Sequence, residues 1–243
     1  LGSRHSGVDL IEYALNRNLA TQFDDILQWA DGRLYDLIAR YLRKFDAWNV
    51  KTVIRGIYSD ASREEIEADL IRAGEFDDRL LNRLLDAPNI EEVIDTLHRT
   101  IFGPPLEEAF EEYESSGVLV PLENAVDRVF YENLLSEVRW DEATQQYRDI
   151  LLAEVDFRNA RNALRLARSG ADIDPAEYYI DGGQLFTRAE LSGLASNLDE
   201  LVQRIRDSTY GDDLSDALND FEEAESLIAF ERALETALLE YSS

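Results

Sequence analysis

The chain of 243 residues contains no cysteine and no methionine, and its only histidines are His5 and His98. The lack of cysteine excludes disulfides, thiolate catalysis and thiolate-ligated metal sites. Neither histidine has a second histidine at ligand spacing, so we expect no histidine-based metal site. No apolar run approaches the ~20 residues of a membrane-spanning helix, and we expect no signal peptide. We expect the chain to be part of a longer protein, beginning within a repeat.

Lysine is nearly absent: Lys44 and Lys51 stand against 51 acidic residues, and the net charge is −27. Nucleic-acid binding is excluded because it requires a positive surface that displaces counterions from phosphates. The acids are spread along amphipathic segments, which is not the pattern of a disordered tail. At molar salt the Debye length is about 3 Å, so self-repulsion is screened. The composition therefore indicates a salt-rich cytosol, as in halophilic archaea, and predicts lower stability at low salt.

Proline and glycine are also scarce, with 5 and 12 copies, and apolar residues make up 45% of the chain. No segment shows the alternating pattern of a strand. These features predict an all-α fold with no significant β-sheet and a chain long enough to bury about 70–75% of its unfolded surface. Periodicity, caps and breakers predict one or two helices within 8–30, a helix that begins at Asp77-Asp78 and ends at Pro88-Asn89, and a short helix that begins at Asp174-Pro175. They also predict helices over 33–57, 63–73, 90–100, 106–115, 120–137, 141–169, 187–195, 197–207, 213–218 and 220–241.

Particular residues set several of these boundaries. Ser62 and Glu65 have the spacing of a capping box. Gly74 is expected to end the helix over 63–73. The run Gly103-Pro104-Pro105 is expected to end the first group of helices, since proline cannot continue a helix interior. This run and Gly182-Gly183 are candidate loops for partner contacts.

The chain repeats itself at a period of about 110 residues. Four positions recur at that interval, and they pair Asp46 with Asp156, Asn49 with Asn159, Lys51 with Arg161 and Arg55 with Arg165. A second signature, an apolar residue followed by Glu-x-Ala, occurs three times and contains Glu12, Glu123 and Glu231. We therefore divide the chain into the end of a truncated first helical unit (1–20), a repeat unit (21–130) and a C-terminally incomplete repeat unit (131–243).

The two long helices are apolar on two faces, which predicts that each packs between neighbours on both sides. Asn49 and Asn159 lie on such a face, so each must find a hydrogen-bond partner, as must the recurring glutamates. Lys51 and Arg55 share one helical edge, as do Arg161 and Arg165. We interpret these cations as intramolecular partners of carboxylates, the recurring glutamates among them. The alternative is a binding site.

The segment Asp212-Asp213-Leu-Ser-Asp216 fits the Asp-Asp-x-x-Asp motif that binds magnesium diphosphate in all-helical prenyl and terpene synthases. The aspartates follow Gly211 and precede a predicted helix, where acids cap the helix and interact favourably with its dipole. Capping is the preferred interpretation, because a second carboxylate motif and a basic diphosphate site are both missing. No strand-turn-helix nucleophile elbow and no phosphate-binding glycine loop is visible.

The pattern Asp-x-x-Asn-x-Lys/Arg-x-x-x-Arg, at Asp46–Arg55 and Asp156–Arg165, resembles the C subunit of archaeal A-type ATP synthases. This family also includes bacterial V-type relatives and the d subunit of the eukaryotic vacuolar ATPase. Residues 9–19 (DLIEYALNRNL) and 64–76 (EEIEADLIRAGEF) resemble the family as well. The similarity covers essentially the whole chain.

The resemblance implies similar helical units around a pseudo-threefold axis, in a funnel-like body. It implies a non-catalytic central-stalk linker that joins the proteolipid ring to the D subunit of the central shaft, with its companion F, and transmits torque for ATP synthesis. The protein would be peripheral, at the cytoplasmic face of the membrane, and would reach the membrane only through the ring. It implies no catalytic, cofactor-binding or metal-binding residue and no small-molecule substrate. The alternatives are a magnesium-dependent prenyl-synthase-like enzyme using Asp212, Asp213 and Asp216, or a generic helical adaptor.

Overall fold

The computed structural model describes residues 29–138, 140–169, 175–194 and 197–212, together with 18, 21–22, 27, 214–215 and 218–219. Within these residues every regular element is a helix, which confirms the predicted all-α class. The α-helices are α1 (Gly32–Tyr58), α2 (Arg63–Ala68), α3 (Asp78–Leu85), α4 (Ile90–Leu97), α5 (Gly103–Ser116), α6 (Val120–Glu137), α7 (Gln145–Ser169), α8 (Arg188–Leu194) and α9 (Leu198–Arg206). Short 3-10 turns cover Glu142–Thr144 and Pro175–Tyr178.

The chain divides into two compact units, unit 1 (Leu1–Leu134) and unit 2 (Leu135–Ser243). In unit 1 the long helix α1 contacts α2, α3 and α4, which follow one another around it. In unit 2 the long helix α7 contacts both 3-10 turns and α9. Each unit is thus built around one long helix. The boundaries 1–20, 21–130 and 131–243 remain a prediction.

Both long helices are buried on two faces, as their sequence patterns predict. In α1 the buried apolar positions are Leu42, Phe45, Ala47, Val50, Val53 and Ile54. In α7 they include Leu152, Ala153, Val155, Phe157, Ala160, Ala163 and Leu164. Apolar burial contributes about 25 cal/mol per Å² of surface removed from water. A helix enclosed on both sides is therefore held mainly by its neighbours.

The capping box predicted at Ser62 is present: its side chain accepts a hydrogen bond from the Glu65 N–H, and Glu65 reaches back to the Ser62 N–H at 2.9 Å. The prediction that this helix runs to residue 73 is wrong, since α2 ends at Ala68. The backbone that follows bonds instead to side chains of α1. The first of these bonds is from Trp48 Nε1 to the Asp69 carbonyl, at 3.2 Å.

The expectation for Gly103-Pro104-Pro105 is also wrong. These residues do not form a loop after the first group of helices but make the first turn of α5, which runs to Ser116. Proline is well suited to that turn because the first helical N–H groups have no partner within the helix. Glycine is required at 103 for space, since a Cβ there would lie 2.6 Å from the His98 Cα and from the Leu97 carbonyl oxygen. Gly117 ends α5 in the left-handed conformation, with φ 72°.

In the part of the chain that the structure describes, no helix is both long enough and apolar enough to span a lipid bilayer. The predicted helix over 220–241 lies outside the described residues.

Candidate functional site

Asn49, on the buried face of α1, holds the segment that follows α2. Its side-chain amide donates to the Ile71 carbonyl at 2.8 Å, and its Oδ1 accepts from the Ile71 N–H at 2.8 Å. One side chain thus satisfies both backbone groups of one residue. Buried backbone groups left without partners are costly, so this segment can pack against α1 without helical hydrogen bonds of its own.

Asp46, one turn earlier on α1, binds the same segment four and five residues after Ile71. Its Oδ2 accepts from the Glu75 N–H at 2.7 Å and its Oδ1 accepts from the Phe76 N–H at 3.0 Å. Gly74 passes so close that an added Cβ would overlap the Asp46 carboxylate. Burial raises the pKa of Asp46 to about 7, against the two N–H groups, which favour the charged form. We call Asp46, Asn49 and the backbone they bind the unit 1 fastening.

The same arrangement recurs in unit 2. Asn159 donates to the Ile180 carbonyl and accepts from the Ile180 N–H, both at 2.9 Å. Asp156 accepts from the Leu185 N–H at 2.7 Å, and a Cβ on Gly183 would overlap its carboxylate. Burial raises the pKa of Asp156 as well. This unit 2 fastening confirms the prediction that both asparagines have partners, and the spacing of its residues matches that of unit 1 to within one residue.

The correspondence continues beyond the fastenings. Asn89 caps α4 by accepting from the Glu92 N–H at 2.9 Å, and Asn197 caps α9 by accepting from the Glu200 N–H at 3.3 Å. At the far ends of the same helices two hydroxyls act alike. Thr100 donates to the Leu97 carbonyl at 2.8 Å, and Ser208 donates to the Ile205 carbonyl at 2.6 Å. Two stretches of one chain with different residues therefore make the same local bonds.

A set of polar contacts joins α1 to α6 within unit 1. Lys51 Nζ lies 2.6 Å from Asp127 Oδ1, and Arg55 pairs with Glu123. Arg43 donates to Asn133 Oδ1 at 2.6 Å. Positions that rise along α1 meet positions that fall along α6, so the two helices are antiparallel. We call these contacts the α1–α6 seam.

The seam confirms for unit 1 that the repeated cations pair with carboxylates, one of them the recurring Glu123. In the second copy, the side chain of Arg165 lies outside the described residues, as do Glu12 and Glu231. The pairing of Arg161 and Arg165 with carboxylates in unit 2 therefore remains a prediction.

The Asp-Asp-x-x-Asp motif is only partly within the described residues: Asp212 is exposed, whereas Asp213 and Asp216 lie outside them. His98 ends α4, where its Nδ1 lies 2.7 Å from the Asp95 carbonyl oxygen. His5 lies outside the described residues. In the described part of the chain, no three Asp, Glu or His side chains are grouped so that they could hold a metal ion.

Asp46 and Asp156 repeat in the sequence, but the repeat alone predicts no role for them. The missed signal was the glycine that follows each aspartate by nearly the same interval, Gly74 after Asp46 and Gly183 after Asp156. The sequence pattern predicts a helix stop at Gly74 and a loop for partner contacts at Gly182-Gly183. In the structure Gly74 and Gly183 each leave room for a buried carboxylate to reach the backbone. Gly182-Gly183 lies outside the helices, and its contact with a partner remains a prediction.

Repeated helical units, each fastened by buried polar side chains, define a helical scaffold protein. Comparison with known proteins gives the family: the model of the ATP synthase (C/AC39) subunit family matches residues 1–243. The chain belongs to this family.

Three similar proteins are each named as the C subunit of an A-type ATP synthase. The one from Haloferax volcanii is 72% identical over 242 residues, covering 100% of this chain and 70% of that protein. The one from Halobacterium salinarum is 57% identical over 246 residues, with coverage of 100% and 70%. The one from Methanococcoides burtonii is 33% identical over 238 residues, with coverage of 96% and 65%. The first two come from halophilic archaea, in agreement with the composition.

This result decides between the hypotheses. The chain is a structural subunit of the ATP synthase type and not an enzyme in its own right, so the prenyl-synthase alternative and the generic adaptor are set aside. Its partners are other subunits of that complex.

Proposed function

We propose that this chain is the central-stalk linker of an A-type ATP synthase. It joins the proteolipid ring to the foot of the shaft, the D subunit with its companion F, and passes the rotation of the ring to the catalytic head. It is a peripheral protein at the cytoplasmic face of the membrane and meets the membrane only through the ring. Three units about a pseudo-threefold axis, in a funnel-like body, belong to the same proposal.

The duplicated fastening is the observation that carries the proposal. Torque is transmitted only by a body that does not yield, and the weak places of a helical protein are the non-helical segments between helices. In both units the segment beside the long helix is bonded, through its backbone, to an aspartate and an asparagine of that helix. Cores packed as densely as organic crystals deform little. Together these features favour a stiff coupling over a flexible adaptor.

The absence of cysteine makes a direct test possible, because one introduced cysteine is the only thiol of this chain. Exposed positions in each unit, Ser116 and Asp181, are replaced by cysteine. Each variant is labelled with a photoactivatable maleimide, assembled into the complete synthase in molar KCl and irradiated. Further exposed positions of each unit are tested in the same way. We expect at least one variant of this series to form covalent products with the D subunit, the F subunit or the proteolipid.

The rotor assignment is then tested by activity. A covalent link between two rotor parts leaves ATP hydrolysis unchanged, whereas a link between rotor and stator stops it. The cysteine-free chain, irradiated in the same way, is the matched control. Products formed only with stator subunits, accompanied by loss of hydrolysis, would contradict the proposal.

A further inference from the structure

The two fastenings differ in one hydrogen bond. In unit 2 the Tyr210 hydroxyl donates to Asp156 Oδ2 at 2.9 Å, in addition to backbone N–H groups of Leu185 and Gln184. In unit 1 the described contacts of Asp46 are the N–H groups of Glu75 and Phe76. The Asp156 carboxylate thus has one more donor than the Asp46 carboxylate.

Phe102 is the unit 1 counterpart of Tyr210. Its N–H bonds to the Thr100 hydroxyl at 3.2 Å, as the Tyr210 N–H bonds to the Ser208 hydroxyl at 3.2 Å. A close-fitting glycine follows each ring, Gly103 in one unit and Gly211 in the other. Each ring also meets a phenylalanine edge-to-face, Phe76 in unit 1 and Phe157 in unit 2. Phenylalanine has no hydroxyl, so it cannot donate to the buried carboxylate.

Two charged groups act on Asp46. Arg43 precedes it by one turn on α1, and Glu75 follows Gly74; their side chains pair at 2.8 Å. The helices α2, α3 and α4 bring no charge to the site, because every charged side chain of α3 and α4 is exposed and those of α2 lie at the surface, where Arg63 pairs with Glu67. On α6, Asp127 and Glu123 pair with Lys51 and Arg55, and Arg43 itself meets the neutral Asn133, so the charges that act on Asp46 are those of Arg43 and Glu75. One nearby cation, itself paired with Glu75, is a weak counter-charge for a buried carboxylate.

We propose that the unit 1 fastening is a pH-responsive latch. Residues 71–76 separate from α1 more readily as pH rises, because Asp46 then carries a charge whose burial is costly, and separation exposes that charge to water. The unit 2 fastening, with the Tyr210 hydroxyl on its carboxylate, responds at lower pH. Opening of the latch would also change a cavity of about 360 Å³ beside α1, because Gly74, Glu75 and Arg43 all line it.

The direction in which opening depends on pH follows from proton linkage. The latched Asp46 has a pKa of about 7 and an exposed aspartate one of 3.8. Between these values the latched form binds the proton and the open form does not, so opening releases a proton. The opening constant then rises about tenfold per pH unit up to about pH 7 and is constant above it.

Hydrogen exchange tests the proposal on the intact chain, in molar KCl between pH 5 and pH 9. Protection of the Glu75 and Phe76 amides is corrected for the pH dependence of intrinsic exchange and compared with that of the Leu185 amide. We expect protection in unit 1 to fall about tenfold per pH unit up to about pH 7 and then level off. Leu185 should level off at a lower pH.

Two variants separate the latch from general unfolding. Asp46→Asn keeps an acceptor but cannot ionise, so the pH dependence of protection at the Glu75 and Phe76 amides should disappear. Phe102→Tyr offers the missing hydroxyl and should move the levelling point towards lower pH. Equal slopes in both units, or a slope that persists in Asp46→Asn, would overturn the proposal. The carbon-13 shift of the Asp46 carboxyl in the unaltered chain decides the matter if both variants fail to fold: titration near pH 4 rather than pH 7 would refute it.

Discussion

Asn49 and Asn159, 110 positions apart, each use one side-chain amide to satisfy both backbone groups of a single isoleucine, Ile71 in unit 1 and Ile180 in unit 2. The four donor–acceptor distances lie between 2.8 and 2.9 Å. Neither asparagine is accessible to solvent beyond 1%. At such a position only a side chain with a donor and an acceptor on one planar group meets both demands.

Replacing either asparagine by alanine should therefore destabilise its own unit strongly. The change leaves the buried N–H of Ile71 or Ile180 without its partner and removes a hydrogen bond from the carbonyl of the same residue, which costs about 2–4 kcal/mol in the free energy of unfolding. The Ile71 carbonyl keeps the Ala73 N–H at 3.1 Å, so the loss in unit 1 should lie towards the lower end. Urea titration in molar KCl, followed by fluorescence and circular dichroism, measures the loss. Asn89→Ala is the matched control, because it removes an exposed helix cap worth about 1 kcal/mol. A smaller loss for Asn49→Ala than for Asn89→Ala would contradict the role given to Asn49.

The glycines of the fastenings give a second prediction. Gly74→Ala and Gly183→Ala each place a methyl group against a buried carboxylate, so we expect losses of about 1–3 kcal/mol from overpacking. Gly193→Ala, on α8, has no atom within 4 Å of the new Cβ and should stabilise by up to about 1 kcal/mol through helix propensity. The same denaturant titrations compare the three. Equal effects at all three positions would contradict the claim that Gly74 and Gly183 are required for space beside Asp46 and Asp156.

Much of the helical framework could be predicted from the sequence, because its signals are local. The predicted helix 120–137 matches α6, and 33–57 matches α1 within one residue at each end. In both cases apolar periodicity and breakers such as Gly117 determine the bounds. The burial of Asn49 and Asn159 followed from their place on an apolar face.

Two features could not be predicted because distant residues decide them, whereas the error at Gly103-Pro104-Pro105 is local, since proline also suits the first turn of a helix. Residues 69–73 have a helical pattern, yet their backbone bonds to Trp48 and Asn49, about 22 positions away. Helix propensity depends only on the residues of the segment itself, so it does not predict this competition from distant side chains. The role of Asp46 was hidden for the same reason, since its partners lie 29 and 30 residues away.

The α1–α6 seam gives a third prediction. The side chains of Lys51 and Asp127 are only 13% and 15% exposed, whereas Arg55, the partner of Glu123, is 53% exposed. In double-mutant cycles with Lys51→Met and Asp127→Asn we expect a coupling of about 1–3 kcal/mol, between the values for exposed and for fully buried pairs. The matched cycle with Arg55→Met and Glu123→Gln should give less than about 1 kcal/mol. Molar KCl should weaken the exposed pair more than the covered one. Similar couplings with similar salt dependence would argue against a special role for Lys51.

The acidic surface gives the last prediction, which concerns the whole chain. With a net charge of −27, folding brings like charges together, and salt lowers that cost because the Debye length falls from about 10 Å at 0.1 M to about 3 Å at 1 M. The melting temperature should rise steadily from dilute buffer to molar KCl. On α5, Glu107, Glu108, Glu111 and Glu114 are all exposed, and each of the other three lies within about one helical turn of Glu111. Like charges at that spacing repel by a few tenths of a kcal/mol.

Glu111→Gln, in the middle of this group, should stabilise the protein in dilute buffer and have little effect in molar KCl. Sucrose is the control for solute exclusion, since it strengthens burial without screening charge. If sucrose and KCl raise the melting temperature of the parent and of Glu111→Gln equally, exclusion explains the salt effect and charge screening does not. If KCl removes the difference between the two proteins and sucrose preserves it, repulsion among surface carboxylates is the reason that this chain needs salt.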